Sequence, residues 1–250
     1  MKKNLLALAF LVGLLTCCKS EDAPIKPVKP TDPGSINKEY MSRAETTFAN
    51  IFKYYWSDKV RMMFGSYPNT LGTPQEPSSP DYDSHAYLWG LGSVVSAFNA
   101  IVQNTDNVDF RMTYESRLKE TLLKYYNTTK EPMCFGCFVN PHDQRLYDDA
   151  IWVGIDLADL YSKTKDSWYL DYAKSVWNFV LSGKDDELGG GVYWDENAKD
   201  SKNTCSNAPA VVLALKLYQI TNDAAYLENG KDIYKLSLIH ISEPTRRRGI

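Results

Sequence analysis

The sequence has little of what metal and redox sites require, with only five cysteines and three histidines among 250 residues. Cys134 and Cys137 are close together and His142 follows them, but no second Cys/His pair completes the four ligands of a structural zinc site. Redox motifs of the Cys-x-x-Cys type belong to a strand–helix–strand context, which the sequence lacks. We therefore expect no metal ion and no cofactor, and interpret the two cysteines as either a disulfide or free buried thiols.

Clustered positive charge is also missing. The formal net charge is −3, and Lys and Arg are dispersed through the body of the chain, so we expect no nucleic-acid partner. Gly189–Gly191 lacks the following lysine of a phosphate-binding loop, which argues against a nucleotide site. Aromatic residues are abundant at 13%, a composition that suits sugar stacking and helix packing equally.

The sequence has only one long hydrophobic run, Leu5–Leu15, which is too short to span a bilayer as a helix. It follows a basic start and precedes two cysteines, a pattern typical of a signal peptide over residues 1–17. The four residues that end at Cys17 resemble a bacterial lipobox, in which Cys17 receives the lipid. Cys18 is the alternative acceptor.

These features predict an exported bacterial lipoprotein that is held at a membrane by its lipid alone. The acidic stretch Lys19–Asp22 resembles a signal for the outer leaflet, so the expected location is the outer membrane, at the cell surface. An ordinary secretory peptide is the alternative. Residues 18–36 are rich in proline and indicate an extended tether.

The C-terminal residues 236–250 do not resemble the rest of the chain. Leu236–Arg246 resembles the translation of a sequencing adapter, and the residues that follow would be readthrough. We predict that this tail is not native and that the natural protein continues beyond Lys235. A genuine basic tail is the alternative.

Hydrophobic periodicity predicts an all-α domain, because apolar residues recur at spacings of three and four and no run of strands is evident. A loop rich in Pro, Gly and Ser, residues 58–82, precedes the second helix, for which Asp83 or Ser84 is the predicted cap. The predicted helices are 37–56, 83–101, 111–126, 147–161, 168–181, 207–220 and one that begins near Ala224.

An internal repeat connects the ends of these helices. Tyr161 and Tyr169–Asp171 recur 57 residues later as Tyr218 and Tyr226–Glu228. Each unit is the end of one helix, a short turn and the start of the next, so the chain repeats a helical hairpin. Hairpins that cannot bury their faces alone must stack on neighbours, and the long spacing favours a toroid.

Asp148 and Asp149 are adjacent at the start of the fourth predicted helix, between Tyr147 and Trp152. Free amides and the macrodipole favour carboxylates there, so one interpretation is an ordinary pair of capping residues. The other is a pair of carboxylates that share nucleophilic and general acid/base work. The pair alone does not decide between these interpretations.

A second segment with potential ligand contacts follows the fifth predicted helix. The three glycines allow the backbone to bend sharply or to approach a ligand, and Tyr193 and Trp194 then stand at the rim. Residues 202–210 open the sixth helix, with Asn207 as the predicted cap and polar contact. Pro209 suits the first turn of a helix.

Taken together, Tyr147–Trp152, Gly189–Trp194 and Asn203–Ala210 resemble glycoside hydrolase family 76, and Tyr87–Gly90 fits its aromatic second helix loosely. The resemblance covers residues 38–235 and depends on the order of the motifs. The family comprises α-1,6-mannanases and related transglycosylases of fungal cell walls. The resemblance therefore implies an (α/α)6 toroid with α-mannan as its substrate and partner.

The resemblance also implies retaining cleavage through a covalent glycosyl-enzyme, with Asp148 as nucleophile and Asp149 as general acid/base. For these roles, Asp149 should have the raised pKa, partly through repulsion from Asp148. The residues implied at the sugar cleft are Trp89, Tyr147, Trp152, Tyr193, Trp194 and Asn207, although each Trp suits core packing equally well.

The number of helices departs from the family, since six helices and a fragment, over residues 37–235, make up about half of a toroid. We expect a monomer that is either an endo-acting hydrolase or an inactive fragment of one. A surface glycan-binding protein and a transglycosylase on the same fold are the alternatives. Retention of both aspartates favours an enzyme.

Overall fold

The structure is a computed structural model that describes residues 33–68, 85–139 and 144–242, with side chains from Lys38 to Lys235. The chain divides after Glu39 into two units. The described part of the first unit is the beginning of a helix, and the second unit contains the site discussed below.

Several predicted features lie outside the described residues. They are the signal peptide, the lipid acceptors Cys17 and Cys18, most of the tether, His142 and the end of the C-terminal tail. Helix α1 begins at Pro33, within the last residues of the segment predicted as a tether. Within the described ranges, no helix combines the length and the apolar character needed to cross a membrane.

Helices make up most of the described chain, as predicted for an all-α domain. The seven α-helices are α1 (Pro33–Tyr55), α2 (Leu88–Asn104), α3 (Val108–Tyr125), α4 (Tyr147–Thr164), α5 (Ser167–Ser182), α6 (Thr204–Thr221) and α7 (Ala224–Ser242). Two short antiparallel hairpins were not predicted. They pair β1 (Trp56–Ser57) with β2 (Met62–Met63), and β3 (Tyr126–Asn127) with β4 (Cys134–Phe135).

Several helix starts differ from the prediction, including those of α2 and α3. Helix α3 begins at Val108 because the Asn107 side chain accepts a hydrogen bond from the N–H of Phe110 at 3.0 Å, which caps the helix. Helix α2 begins at Leu88, with Tyr87 at its N-cap position, which is later than the predicted start. The predicted caps Asp83 and Ser84 lie outside the described residues. The amide of Leu88 donates to the carbonyl of Cys137 at 2.9 Å, which anchors the start of α2 to a loop distant in sequence.

Helix α4 lies at the centre of the packing, between α2 and α6, while α5 packs on α4 and α7 on α6. Gly154 allows this close approach. A Cβ atom there would lie 2.9 Å from Val176 of α5 and 3.1 Å from Leu213 of α6. An aromatic cluster joins the other helices, since the ring of Phe48 in α1 lies 6.0 Å from Phe98 in α2 and 5.4 Å from Phe110 in α3.

The predicted repeat is confirmed in the turns that follow α4 and α6. Lys165 and Asn222 both adopt the left-handed conformation, with φ of 61° and 57°. Their N–H groups donate to the carbonyls of Tyr161 and Tyr218 at 2.8 and 2.7 Å, which satisfies a free carbonyl at each helix end.

The next helix is capped in the same way in both repeats. Asp166 accepts from the N–H of Trp168 at 3.0 Å, and Asp223 accepts from the N–H of Ala225 at 2.9 Å. The helical hairpins are thus closed by two-residue turns at one end. The described parts of the long connections, residues 126–139, 144–146 and 183–203, lie at the opposite end, where α4 begins.

Candidate active site

The adjacent aspartates lie in the first turn of α4. Leu146 occupies the N-cap position and makes no side-chain capping bond. Asp148 Oδ1 instead accepts from the N–H of Asp149 at 3.1 Å, one of the amides that a helix start leaves free. Each aspartate is only 9% exposed. Two carboxyl groups are therefore held side by side and largely away from water.

Asp148 accepts hydrogen bonds from two further side chains. Trp194 Nε1 donates to Asp148 Oδ2 at 3.2 Å, and the thiol of Cys205, in the first turn of α6, bonds the same carboxyl. Burial raises the pKa of the Cys205 thiol and the charge of Asp148 adds to the rise, so the thiol remains a donor. With the amide of Asp149, three donors converge on Asp148, an arrangement that suits a carboxylate.

Asp149 has a different environment, in which its only side-chain hydrogen bond among the described residues comes from the buried thiol of Cys137. Burial raises the pKa of Asp149 to about 6, the negative charge of Asp148 adds to the rise, and the bond from Cys137 opposes it. This agrees with the predicted direction, although burial is the larger cause and repulsion the smaller one. The two carboxyl groups are therefore chemically unequal.

A groove of about 310 Å³ opens beside Asp149, between α2 and α4. Its lining consists of Trp89, Gly92, Ser93, Ser96, Asp149 and Trp152. Trp89 is 56% exposed and Trp152 is 42% exposed, so their rings can stack against a sugar. Two of the tryptophans predicted at the cleft therefore share one surface with Asp149.

Trp194 reaches Asp148 from the loop between α5 and α6. Gly189, Gly190 and Gly191 have φ of 91°, 94° and 77°, which favour glycine and let the loop turn back towards α4. The N–H of Tyr147 donates to the carbonyl of Trp194 at 3.0 Å, which joins the loop to the first residue of α4. Trp194 is 37% exposed and lies at the rim, as predicted.

The prediction that Asn207 caps α6 and contacts substrate is wrong. Helix α6 begins at Thr204, so Asn207 lies inside the helix, and it is fully buried. Its side chain accepts from the N–H of Val192 at 2.7 Å and donates to the carbonyl of the same residue at 2.8 Å. Asn207 therefore holds the glycine loop in position. Pro209 correspondingly lies beyond the first turn of α6.

Tyr147 and Tyr193 were also expected at the sugar cleft, and both are buried instead. Tyr147 is 1% exposed and stacks on Phe179, with 4.3 Å between ring centroids. Tyr193 is 3% exposed, and the Lys202 ammonium lies 4.4 Å from its ring centroid. Both tyrosines support the segments that carry Asp148 and Trp194.

Sequence reasoning missed two thiols that bond the carboxyls, that of Cys137 outside the motifs and that of Cys205 within Asn203–Ala210. Cys137 was considered only as a metal ligand or disulfide partner, and Cys205 was given no role. Both are free thiols, as is Cys134. Ser93 and Ser96 lie in the groove, and their spacing from Trp89 on α2 was the available signal, because residues at i, i+4 and i+7 share a helix face. In the part of the chain that the structure describes, no three His, Cys, Asp or Glu side chains are grouped as metal ligands.

Comparison with known proteins gives a family match over most of the chain. The family model described as Glycosyl hydrolase family 76 matches residues 39–238. No curated protein sequence matches the chain.

Several solved structures with the same fold are described as members of this family. A family 76 mannosidase from Bacteroides thetaiotaomicron VPI-5482 is 25% identical with a TM-score of 0.66, over 78% of this chain and 52% of that one. A family 76 glycoside hydrolase from a bovine strain of the same species is 30% identical with a TM-score of 0.67, over 78% and 41%. An α-1,6-mannanase from a Salegentibacter species is 23% identical with a TM-score of 0.59, over 78% and 50%.

This chain spans about half the length of the solved structures that it matches. The likeness confirms the predicted (α/α)6 toroid, of which the helices described above form a part. The family model covers the two aspartates, the groove and the glycine loop together. The chain therefore belongs to glycosyl hydrolase family 76.

Proposed function

We propose that this protein is a retaining glycoside hydrolase that cleaves α-1,6-linked mannan with Asp148 and Asp149. The observation that carries the proposal is the inequality of the two adjacent carboxyls. Asp148 is held by three donors, whereas Asp149 has a pKa raised to about 6 and faces the groove. A nucleophile and a general acid need this difference in protonation.

In the proposed first step, an oxygen of ionised Asp148 attacks the anomeric carbon of the sugar. Protonated Asp149 gives its proton to the glycosidic oxygen as the bond to the leaving sugar breaks. The result is a covalent ester between Asp148 and the glycosyl group. In the second step, Asp149 takes a proton from a water molecule that attacks the anomeric carbon, and Asp148 leaves as a carboxylate.

The choice of substrate rests on the aromatic surface and on relatives. Trp89 and Trp152 offer exposed rings on either side of the groove beside Asp149. The Salegentibacter enzyme is named an α-1,6-mannanase, and a variant with two consecutive aspartates replaced is described as inactive and is bound to α-1,6-mannotetrose. We extend that substrate and that pair of aspartates to this chain as part of the proposal.

The test measures reducing ends released from α-1,6-mannan by the protein, by Asp148→Asn and by Asp149→Asn. We expect each substitution to lower the rate by about 10²-fold or more, as loss of a nucleophile or a general acid does. Asp200→Asn, a change of the same size at an exposed position, should leave the rate unchanged. Binding of mannan without release by the unsubstituted protein would replace this proposal with a glycan-binding function.

Two further measurements assign the roles. An aryl mannoside with a good leaving group needs little protonation, so Asp149→Asn should cleave it far better than it cleaves mannan. Azide should rescue Asp148→Ala and give a glycosyl azide of inverted configuration, because azide then attacks in place of Asp148. If azide instead rescued the Asp149 variant, and the aryl mannoside were cleaved well by the Asp148 variant, the two roles would be exchanged.

A further inference from the structure

Arg145 lies just before α4 and forms a buried ion pair with Glu196, in the loop after Trp194. The Arg145 side chain is fully buried and that of Glu196 is 13% exposed. Arg145 Nε donates to Glu196 Oε2 at 2.8 Å and Nη2 donates to Oε1, so the contact is bidentate. Arg145 Nη1 also donates to the carbonyl of Pro132 at 2.7 Å.

The two chain segments that carry this pair also bond through their backbones. The N–H of Glu196 donates to the carbonyl of Arg145 at 3.3 Å, and the N–H of Tyr147 donates to the carbonyl of Trp194 at 3.0 Å. Leu146 and Asp195, between them, form an antiparallel bridge. The ion pair therefore closes one end of a short ladder, and the bond from the Trp194 indole to Asp148 extends from the other.

A buried ion pair is a poor means of stabilising a fold, because removing both charges from water offsets most of their attraction. Burial alone would raise the pKa of Glu196, yet the bonds from Arg145 and Lys130 lower it, so the carboxylate is charged at neutral pH. The bidentate fork fixes direction as well as distance. An apolar pair could fill the same space without this directional control.

We propose that Arg145 and Glu196 are positioning residues for the proposed hydrolysis, and that their ion pair directs the Trp194 indole N–H onto Asp148. In this arrangement Glu196 affects the orientation of Asp148 through Trp194 and makes no contact with the sugar. The catalytic effect of the ion pair rests on the function proposed above. The structural link between Glu196 and the Trp194 indole does not depend on that function. The two can therefore be tested apart.

The first test is a double-mutant cycle on mannan hydrolysis with Glu196→Gln, Trp194→Phe and both together. Glu196→Gln should lower kcat about tenfold, the effect of one charged hydrogen bond, and leave KM nearly unchanged. In the Trp194→Phe background the same change should have little further effect, because both act on one contact. Effects that multiply would overturn the proposal.

The second test needs no activity. The protein has six tryptophans, so its indole N–H signals in a ¹H–¹⁵N spectrum are few, and Trp194→Phe identifies the one from Trp194. The position of this signal reports the hydrogen bond from the indole to Asp148, so it should change in Asp148→Asn, where an amide replaces the carboxylate. In Glu196→Gln the signal should change in the same direction. A signal unchanged from the original protein in Glu196→Gln would overturn the proposal whether or not mannan is cleaved.

Two variants control for general damage. Asp159 lies on α4, ten residues or about 15 Å from Asp149. Asp159→Asn breaks its ion pair with Lys216 of α6 and should leave the Trp194 signal unchanged. Arg145→Lys keeps the charge but loses the bidentate fork, so it tests the proposal if Glu196→Gln does not fold. It should change the Trp194 signal in the same direction as Asp148→Asn does, and an unchanged signal would count against the proposal.

Discussion

The thiol of Cys137 donates a hydrogen bond to the carboxyl of Asp149. Cys137 is 4% exposed, and its backbone is held on both sides, by the carbonyl of Gln144 and the N–H of Leu88, each at 2.9 Å. Burial raises the pKa of this thiol, and the nearby charge of Asp149 adds to the rise. The group is therefore a fixed donor beside the proposed general acid.

The pKa of Asp149 predicts an acidic optimum. If Asp149 must be protonated to attack mannan, kcat/KM should fall tenfold for each unit of pH above about 6, the pKa of this carboxyl in the free protein. The profile is measured with mannan at concentrations below KM. A rate that stays level from pH 6 to pH 8 would exclude Asp149 as the acid that limits cleavage.

Cys137→Ala should move the fall in kcat/KM to higher pH. The thiol favours ionised Asp149, so its loss raises the pKa of Asp149 further. Cys137→Ser keeps a hydrogen-bond donor, so kcat/KM should again fall at a pH close to the original one. Cys134→Ala removes a buried thiol from the same segment without touching Asp149, and its pH profile should match that of the unsubstituted protein. A shift of equal size in the control would point to general disturbance of the loop.

Asp149→Asn should stabilise the fold at neutral pH but not in acid. The folded pKa of Asp149 is about 6 and its ordinary value is 3.8, so the residue favours folding fully below pH 3.8 and loses that contribution as pH rises through 6. Asparagine imitates the neutral acid at every pH. The gain in free energy of unfolding should be about 1–3 kcal/mol at pH 7.5 and near zero at pH 3.5, measured in urea. A gain of equal size at both pH values would contradict the raised pKa.

Gly183→Ala should destabilise the protein by about 2 kcal/mol or more, because the added methyl overlaps a packed ring. Its Cβ would lie 2.3 Å from Cζ of Tyr147, which is itself stacked on Phe179. Gly90→Ala is the matched control. Its Cβ would meet only the Ala86 methyl at 3.9 Å, and alanine favours a helix, so thermal unfolding should occur at the same temperature or slightly higher.

The helices and their repeat could be predicted because their signals are local. Periodic apolar residues indicate a helix, and the repeated Tyr, Thr and Asp positions around Lys165 and Asn222 indicate one turn used twice. Asp148 and Asp149 could be found for the same reason, since they are adjacent. The direction of the Asp149 pKa shift was predicted partly from repulsion by Asp148, but burial, its larger cause, depends on tertiary packing.

The side chains around the aspartates were harder to predict because their positions depend on tertiary packing. Tyr147 adjoins Asp148 in sequence, yet the helix directs it towards Phe179 and away from the groove. The predicted start of α6 was three residues too late. It placed the buried Asn207 at the start of the helix, where a sugar contact was expected. The thiol of Cys137 reaches Asp149 only because α2 and β4 bring its loop to α4, and no spacing in the sequence records that contact.

The two-residue turns after α4 and α6 also affect which changes the molecule tolerates. Their hydrogen bonds join residues at most four positions apart, so each hairpin keeps its angle whatever the opposite connections contain. The exposed residues 197–200, in a connection at the opposite end, carry none of the contacts described above, so they can change while the helices keep their register. Sequence change can accumulate at such positions without renewed selection for folding at the two-residue turns.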